Sequence, residues 1–309
     1  MITSDRREFL RGTAATTLAL AAPADLLAQA ANSSAPASAW DAGAVRHLLP
    51  TVSDTRMLIK MSFSAPLSEA PMLRVGGTSV RGRMGDTRGE HWHFYATDLK
   101  PGRPHRLALT GAKGRALCQP WELATFPGPD ERPDKFRVLF FSCAGGHEAM
   151  KFLTPAVRNR LFRRALSFQP QAAVANGDHV YWDLLSPLTS KRYGASAEAL
   201  TIAGKFDRAG VVLGGDNETI LKRAAGPQIA PVYGGEFRST PVFFIQDDHD
   251  YFDNDEATDD IITFPPSHFM LSLARATQRM YYPEFLPDLA RPRGLPFSSA
   301  ADRPDGVSE

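Results

Sequence analysis

Only 2 of the 309 residues are cysteine, too few for a small fold stapled by disulfides. Neither sign of charge dominates: Lys and Arg number 35, Asp and Glu 34, for a formal net charge of +1. So even a balance offers no electrostatic footprint for coating nucleic acid, and no nucleic-acid-binding patch is expected. No uninterrupted apolar run reaches the roughly 18 residues that span a bilayer, so no transmembrane anchor is expected either. What is present is an ordinary globular composition, 43% hydrophobic and 22% charged, at a length suited to about two domains.

The chain starts with Ser4-Asp5-Arg6-Arg7-Glu8-Phe9-Leu10-Arg11, passes through a weakly apolar run over 13–27, and reaches Ala28-Gln29-Ala30. A charged start, an apolar centre and a small-x-small exit are the three parts of a secretory signal. The arginine pair followed by Phe-Leu resembles a twin-arginine export signal. Residues 1–30 are therefore expected to be a signal peptide read by the twin-arginine export machinery, and the protein to be periplasmic or secreted. Cargo of that route usually folds and takes up its metal before export.

Residues 31–43 read as a Ser/Ala/Pro-containing linker. Over 44–127 short segments of alternating polarity recur, among them Arg56-Met57-Leu58-Ile59-Lys60-Met61-Ser62-Phe63 and His91-Trp92-His93-Phe94-Tyr95, punctuated by Gly76-Gly77, Gly85 and Pro101-Gly102. Period two with frequent turns predicts a small antiparallel β-sandwich. It resembles the immunoglobulin or fibronectin type III-like domain that precedes some phosphatase domains. His91 and His93 share one strand face and could pair on a metal. With no acidic partner evident beside them, they read as surface decoration. The Pro-rich charged stretch 128–136 is a second linker.

From 137 to 309 the grammar becomes β-α-β. Arg137-Val138-Leu139-Phe140-Phe141, Ala172-Ala173-Val174-Ala175 and Pro241-Val242-Phe243-Phe244-Ile245 are short, mainly apolar runs, as expected of parallel strands covered on both faces. Thr154-Pro155 suits a helix start. Val157, Leu161, Ala165 and Phe168 then recur at helical spacing, which leaves Arg158, Arg160, Arg163 and Arg164 to solvent. The segment 184–235 reads as helix plus irregular insertion.

Each strand runs into potential ligands: Ser142-Cys143, then Asn176-Gly177-Asp178-His179-Val180-Tyr181, then Asp247-Asp248-His249-Asp250 with Asn254 beyond. Open α/β sheets bind ligands beyond the carboxyl ends of their strands, so three such endings predict one converging site. Thiolate, carboxylates and imidazole are a transition-metal donor set, and a cation removes the repulsion among the anions. Two metals sharing a carboxylate can polarise a phosphoryl oxygen and generate hydroxide from water, which favours phosphate-ester hydrolysis. Taken alone, Cys143 could equally be a core thiol or a partner of Cys118. With Asp178 and Tyr181 at the same edge it is read as a ligand. His147, His179, Gly145-Gly146 and His268 flank the motifs and fit structural roles as well as pocket roles.

These three motifs, in this order, resemble those of the alkaline phosphatase D (PhoD-like) family of calcineurin-like metallophosphoesterases, across residues 44 to the C-terminus. The resemblance implies a secreted, metal-dependent phosphomonoesterase or phosphodiesterase. It makes Cys143 and Tyr181 ligands of a first metal, Fe³⁺. Asp178 would bridge, and Asp248 would hold the second metal, Ca²⁺ or another divalent ion. His249 becomes the catalytic residue beside the phosphate ester. Asn254 and Asp250 are assigned to supporting the metal or substrate. In that family the site is completed by C-terminal Asp/His motifs, and after His249 the only histidine here is His268. The expected fold is therefore an incomplete α/β metallophosphoesterase-type domain behind a β-sandwich. The alternative reading is an inactive exported binding protein or fragment.

Overall fold

The computed structural model describes residues 39–146, 153–182, 196–251 and 268–284. The export signal, Asn254, His147 and the tail 285–309 lie outside them. The chain divides into two compact units, Met1–Trp40 and Asp41–Glu309, and the fold below is that of the second. Its strands are β1 (Val45–Val52), β2 (Met57–Phe63), β3 (Met72–Val75), β4 (Thr78–Arg81), β5 (Arg83–Met84), β6 (His91–Ala96), β7 (Pro104–Thr110), β8 (Trp121–Ala124), β9 (Val138–Phe141), β10 (Ala172–Asn176) and β11 (Val242–Ile245). Its helices are α1 (Pro155–Leu166), α2 (Ser196–Ala203), α3 (Asp216–Tyr233), the single turn α4 (Asp248–Tyr251) and α5 (His268–Tyr281). Among the described residues no helix is long and apolar enough to cross a membrane.

The first eight strands form two antiparallel sheets, ordered β1-β2-β6-β5 and β4-β3-β7-β8. Alternation gives the first sheet two unlike faces. Leu48, Met61 and Trp92 form one cross-strand row and Pro50, Ile59 and Phe94 another. These apolar rows make the sandwich interior, where burying a side chain such as Ile59 is worth about 1.5–3 kcal/mol. The intervening rows are largely polar: His47, Ser62 and His91, then Lys60 and His93 beside the apolar Leu49.

That polar face is buried, because α3 and α5 pack on it. Lys60 is fully buried, and its Nζ donates to the carbonyls of Gln278 and Arg279 at 3.0 Å each. His47 Nε2 donates to the Tyr281 carbonyl at 3.2 Å, and its Nδ1 meets Ser62 Oγ at 2.8 Å. The last carbonyls of α5, which have no partner within the helix, are thus closed by the sandwich, with an ammonium at the negative end of the helix dipole. The histidines His91 and His93, read from sequence as surface decoration, are both buried here. Acidic partners are also present: Asp86 Oδ2 lies 3.4 Å from His91 Nδ1.

Helix α3 is strapped to the same sheet. Lys222 Nζ reaches Asp86, Glu90 and Glu218 at 2.6, 2.8 and 2.9 Å. Glu218 accepts the Thr87 hydroxyl at 2.6 Å, and the Leu48 amide donates to the Gly234 carbonyl just past the helix end at 2.8 Å. On its other side α3 enters the second core with Phe141, Phe162, Tyr233 and Phe237.

The parallel sheet is ordered β11-β10-β9. Leu139, Phe141, Ala173, Ala175, Val242 and Phe244 face the helical core. The opposite face does not match the expectation of strands covered on both sides: Phe140 is 70% and Ile245 52% exposed. The apolar stripe of α1 also falls elsewhere than the spacing predicts. Phe162 is its buried residue, because its ring meets Phe141, Tyr233 and Phe237, while Leu161 and Phe168 are exposed.

Burial lowers His47 and His93 from 6.5 to about 3 and lowers His91 as well. The folded values lie below the unfolded one, so the unfolded chain binds protons that the folded chain refuses. The stability these neutral histidines contribute is full above about pH 6.5 and is lost as pH falls toward 3. Urea unfolding should show a loss of about 2 kcal/mol per such histidine between pH 7.5 and 5, with a smaller loss in His47→Gln.

Candidate metal centre

Registers Ala175–Phe141 and Asn176–Ile245 bring the three parallel strands level at their carboxyl ends. The backbone continues to bond beyond them. The Cys143 amide donates to the Gly177 carbonyl at 3.2 Å, Gly145 to Asp178 at 3.0 Å and Gly177 to Ile245 at 2.8 Å. Glycine is needed at two of these crossings. A Cβ on Gly145 would lie 2.4 Å from the His179 carbonyl oxygen, and one on Gly177, at φ +76°, 2.5 Å from Asp247 Cβ. Cys143 and Asp178 themselves sit at φ 54° and 58°, a left-handed conformation that costs an L-residue about 1–2 kcal/mol and gathers at functional sites.

The Asp178 carboxylate is the meeting point. Its Oδ2 accepts Cys143 Sγ and Tyr181 Oη, each at 3.2 Å. Its Oδ1 is buried with no hydrogen-bond partner among the described residues. Asp178, Asp248 and His249 each present a ligand atom within 4.8 Å of the others, and the His249 and Tyr181 rings lie 4.5 Å apart. The structure therefore brings together Cys143, Asp178, Tyr181, Asp248 and His249. Burial, then the hydrogen bond with Cys143 and the Asp178 charge, raise the Tyr181 phenol above its usual value. Without a cation it stays protonated and donates, whereas a metal ion reverses that balance.

The donors fit two cations sharing one carboxylate. Cys143 and Tyr181 both bond Asp178 Oδ2, Asp248 and His249 bring ligand atoms close to the same residue, and the unpartnered Oδ1 keeps a lone pair that a cation could use. His249 thus sits within the ligand-bearing trio. Asp250 does not join the donors. It is 3% exposed, and its Oδ1 accepts the His179 and Val180 amides at 2.7 and 2.9 Å. Its Oδ2 takes the Asp247 amide at 3.3 Å. Its carboxylate fixes the turn that carries Asp178 and Tyr181. The two cysteines are both free thiols, so the pairing with Cys118 is not formed.

Two further clamps escape sequence reading. Arg158, expected in solvent, donates from Nη1 to the carbonyls of Ala144 and Gly145 at 2.8 and 3.2 Å. Gln228, buried on α3, accepts the Gly146 and Tyr181 amides with one oxygen, at 3.0 Å each. It thereby ties the Cys143 loop to the Asp178 loop. No local motif marks it. A glutamine in an otherwise apolar stretch of helix is the one available signal. His179 is buried too, with Nε2 2.9 Å from the Ile245 carbonyl and its ring edge-on to Phe244, which is a structural place.

Replacing Gln228 by Leu should strand two buried amides and lower stability by about 1–3 kcal/mol. Metal affinity should fall with it, by about 10- to 100-fold as for other groups that orient ligands. Chemical denaturation and competitive metal titration read the two effects.

No family model matches the chain, and no curated protein matches it. Among solved structures it is similar to one described as "Structure of PhoD", at 14% identity and a TM-score of 0.49 over 79% of this chain and 46% of that one. It is also similar to the purple acid phosphatase PPD1 from yellow lupin (Lupinus luteus) seeds, at 11% identity and a TM-score of 0.43 over 75% and 39%. The chain spans less than half the length of either structure.

Proposed function

We propose that the chain serves in a metal-dependent phosphoric ester hydrolase, of the kind its three strand-end motifs resemble. The observation that carries this reading is the Asp178 carboxylate, which bonds Cys143 and Tyr181 and gathers with Asp248 and His249 in one cluster of ligand atoms. Bound there, a metal pair would supply Lewis-acid polarisation of a phosphoryl oxygen and an acidified water. The chain's own part is to hold the donors level and to keep them ordered. Asp250, Arg158 and Gln228 fix the backbone of the two donor loops. His249, next to the donors with its ring tilted 35° against that of Tyr181, would donate a proton or hydrogen bond to an ester oxygen leaving the phosphorus.

Iron at the Cys143–Tyr181 flank and calcium at the Asp248 flank is the metal assignment we propose. Thiolate and phenolate stabilise a trivalent ion, while hard calcium favours oxygen donors. Export through the twin-arginine route, with residues 1–30 removed, belongs to the same proposal and would deliver a folded, metal-loaded protein outside the cytoplasm.

Metal analysis of purified protein should find iron, with a visible thiolate- or phenolate-to-iron band that shifts in Tyr181→Phe. Asp178→Ala should lose the bound metal, and unchanged metal content in that variant would sink the assignment. With Fe³⁺ and Ca²⁺ supplied, hydrolysis of bis-p-nitrophenyl phosphate or p-nitrophenyl phosphate should drop about a hundredfold or more in Asp178→Ala and Asp248→Ala.

A further inference from the structure

Between the sandwich and α3 lies a second cavity, about 460 Å³ in volume, which shares no lining residue with the strand-end donors. Cavities of this size suit small-molecule ligands. Four basic side chains line it: Arg46 from β1, Arg88 from the loop before β6, and Lys222 and Arg223 from α3.

The four are not equivalent. Lys222 is already engaged by Asp86, Glu90 and Glu218. Glu90, the one carboxylate in the lining, is among those partners. Arg46, Arg88 and Arg223 are exposed, and none of them forms an ion pair among the described residues. Three arginines therefore line the cavity without an ion pair of their own, and they face the excess negative charge that Asp86, Glu90 and Glu218 leave around the one Lys222 ammonium. The rest of the lining includes apolar surface from Phe63, Ile202, Pro227 and Ala230, together with Tyr281.

A cation is the wrong occupant. Asp86, Glu90 and His91 do bring ligand atoms close together, but the Lys222 ammonium already occupies their midst at 2.6 Å from Asp86 and 2.8 Å from Glu90. Guanidinium forks match the oxygens of a phosphate group, often in pairs. The apolar lining would in turn cover a hydrocarbon or ring body, and its burial adds affinity in proportion to the area covered.

We infer that this cavity binds an organic phosphate, its phosphate held by Arg46, Arg88 and Arg223 and its apolar body laid against Ile202 and Pro227, the apolar lining residues that are not fully buried. The inference stands apart from the hydrolase reading and needs no metal.

Calorimetric titration of the full chain with phenyl phosphate, in EDTA, tests it, since chelation keeps metal at the strand ends from holding the ligand. Saturable one-site binding is expected, about tenfold tighter than for inorganic phosphate and weakened by added salt. The double variant Arg46→Ala/Arg223→Ala should weaken it about tenfold or more. Arg88→Ala should weaken it to a lesser degree, and Asp178→Ala should leave it unchanged. Absence of saturable binding, or unchanged affinity in both arginine variants, would overturn the inference. Loss in Asp178→Ala would place the ligand at the strand ends and overturn it as well. Inorganic phosphate binding as tightly as phenyl phosphate would overturn the part played by the apolar wall.

Discussion

Helix α3 is the member through which the two halves of the fold act on one another. One end of it is strapped to the sandwich by the Lys222 ammonium among Asp86, Glu90 and Glu218. A turn and a half further along, Gln228 holds the loops of Cys143 and Tyr181 with a single carbonyl oxygen. The strand-end donors therefore depend on a helix whose position is set by a sheet that contributes no donor. Half-buried charge is an expensive way to join two layers unless every member is satisfied. Here Lys222 has three partners, and Glu218 adds the Thr87 hydroxyl and the Gly214 amide.

The same logic explains the unusual content of the first sheet. A free-standing sandwich would turn its polar rows to water. In this chain those rows end a helix, with Lys60 and His47 supplying donors to carbonyls of the last turn of α5. Burial of three neutral histidines on that face follows from the arrangement, since imidazole can fill space beside an ammonium only by remaining uncharged.

Much of this was legible in the order of residues, and the exceptions have physical reasons. Strand endings at Cys143, Asp178 and Asp248 could be read because apolar runs stop sharply at them and a parallel sheet must bring its carboxyl ends together. Period two in Met57–Phe63 revealed two faces of a strand, but alternation does not say what lies over the polar one, so His91 and His93 read as surface. On α1 the helical period was right and its phase was not. Phe162 turns inward because three aromatic rings from distant segments await it, and Leu161 is left outside. Gln228 and Arg158 act on backbone groups far away in sequence, and Asp250 acts through amides 70 and 71 residues earlier. Apart from the apolar surroundings of Gln228, nothing local distinguishes such residues from ordinary polar ones.

The left-handed backbone at Cys143 and Asp178 carries a consequence for laboratory selection. Glycine at either place would relax the main chain while deleting a donor. A screen that rewards heat resistance alone would therefore drift toward proteins that last longer and coordinate nothing. Thermal endurance and ion capture pull against each other at these two α-carbons.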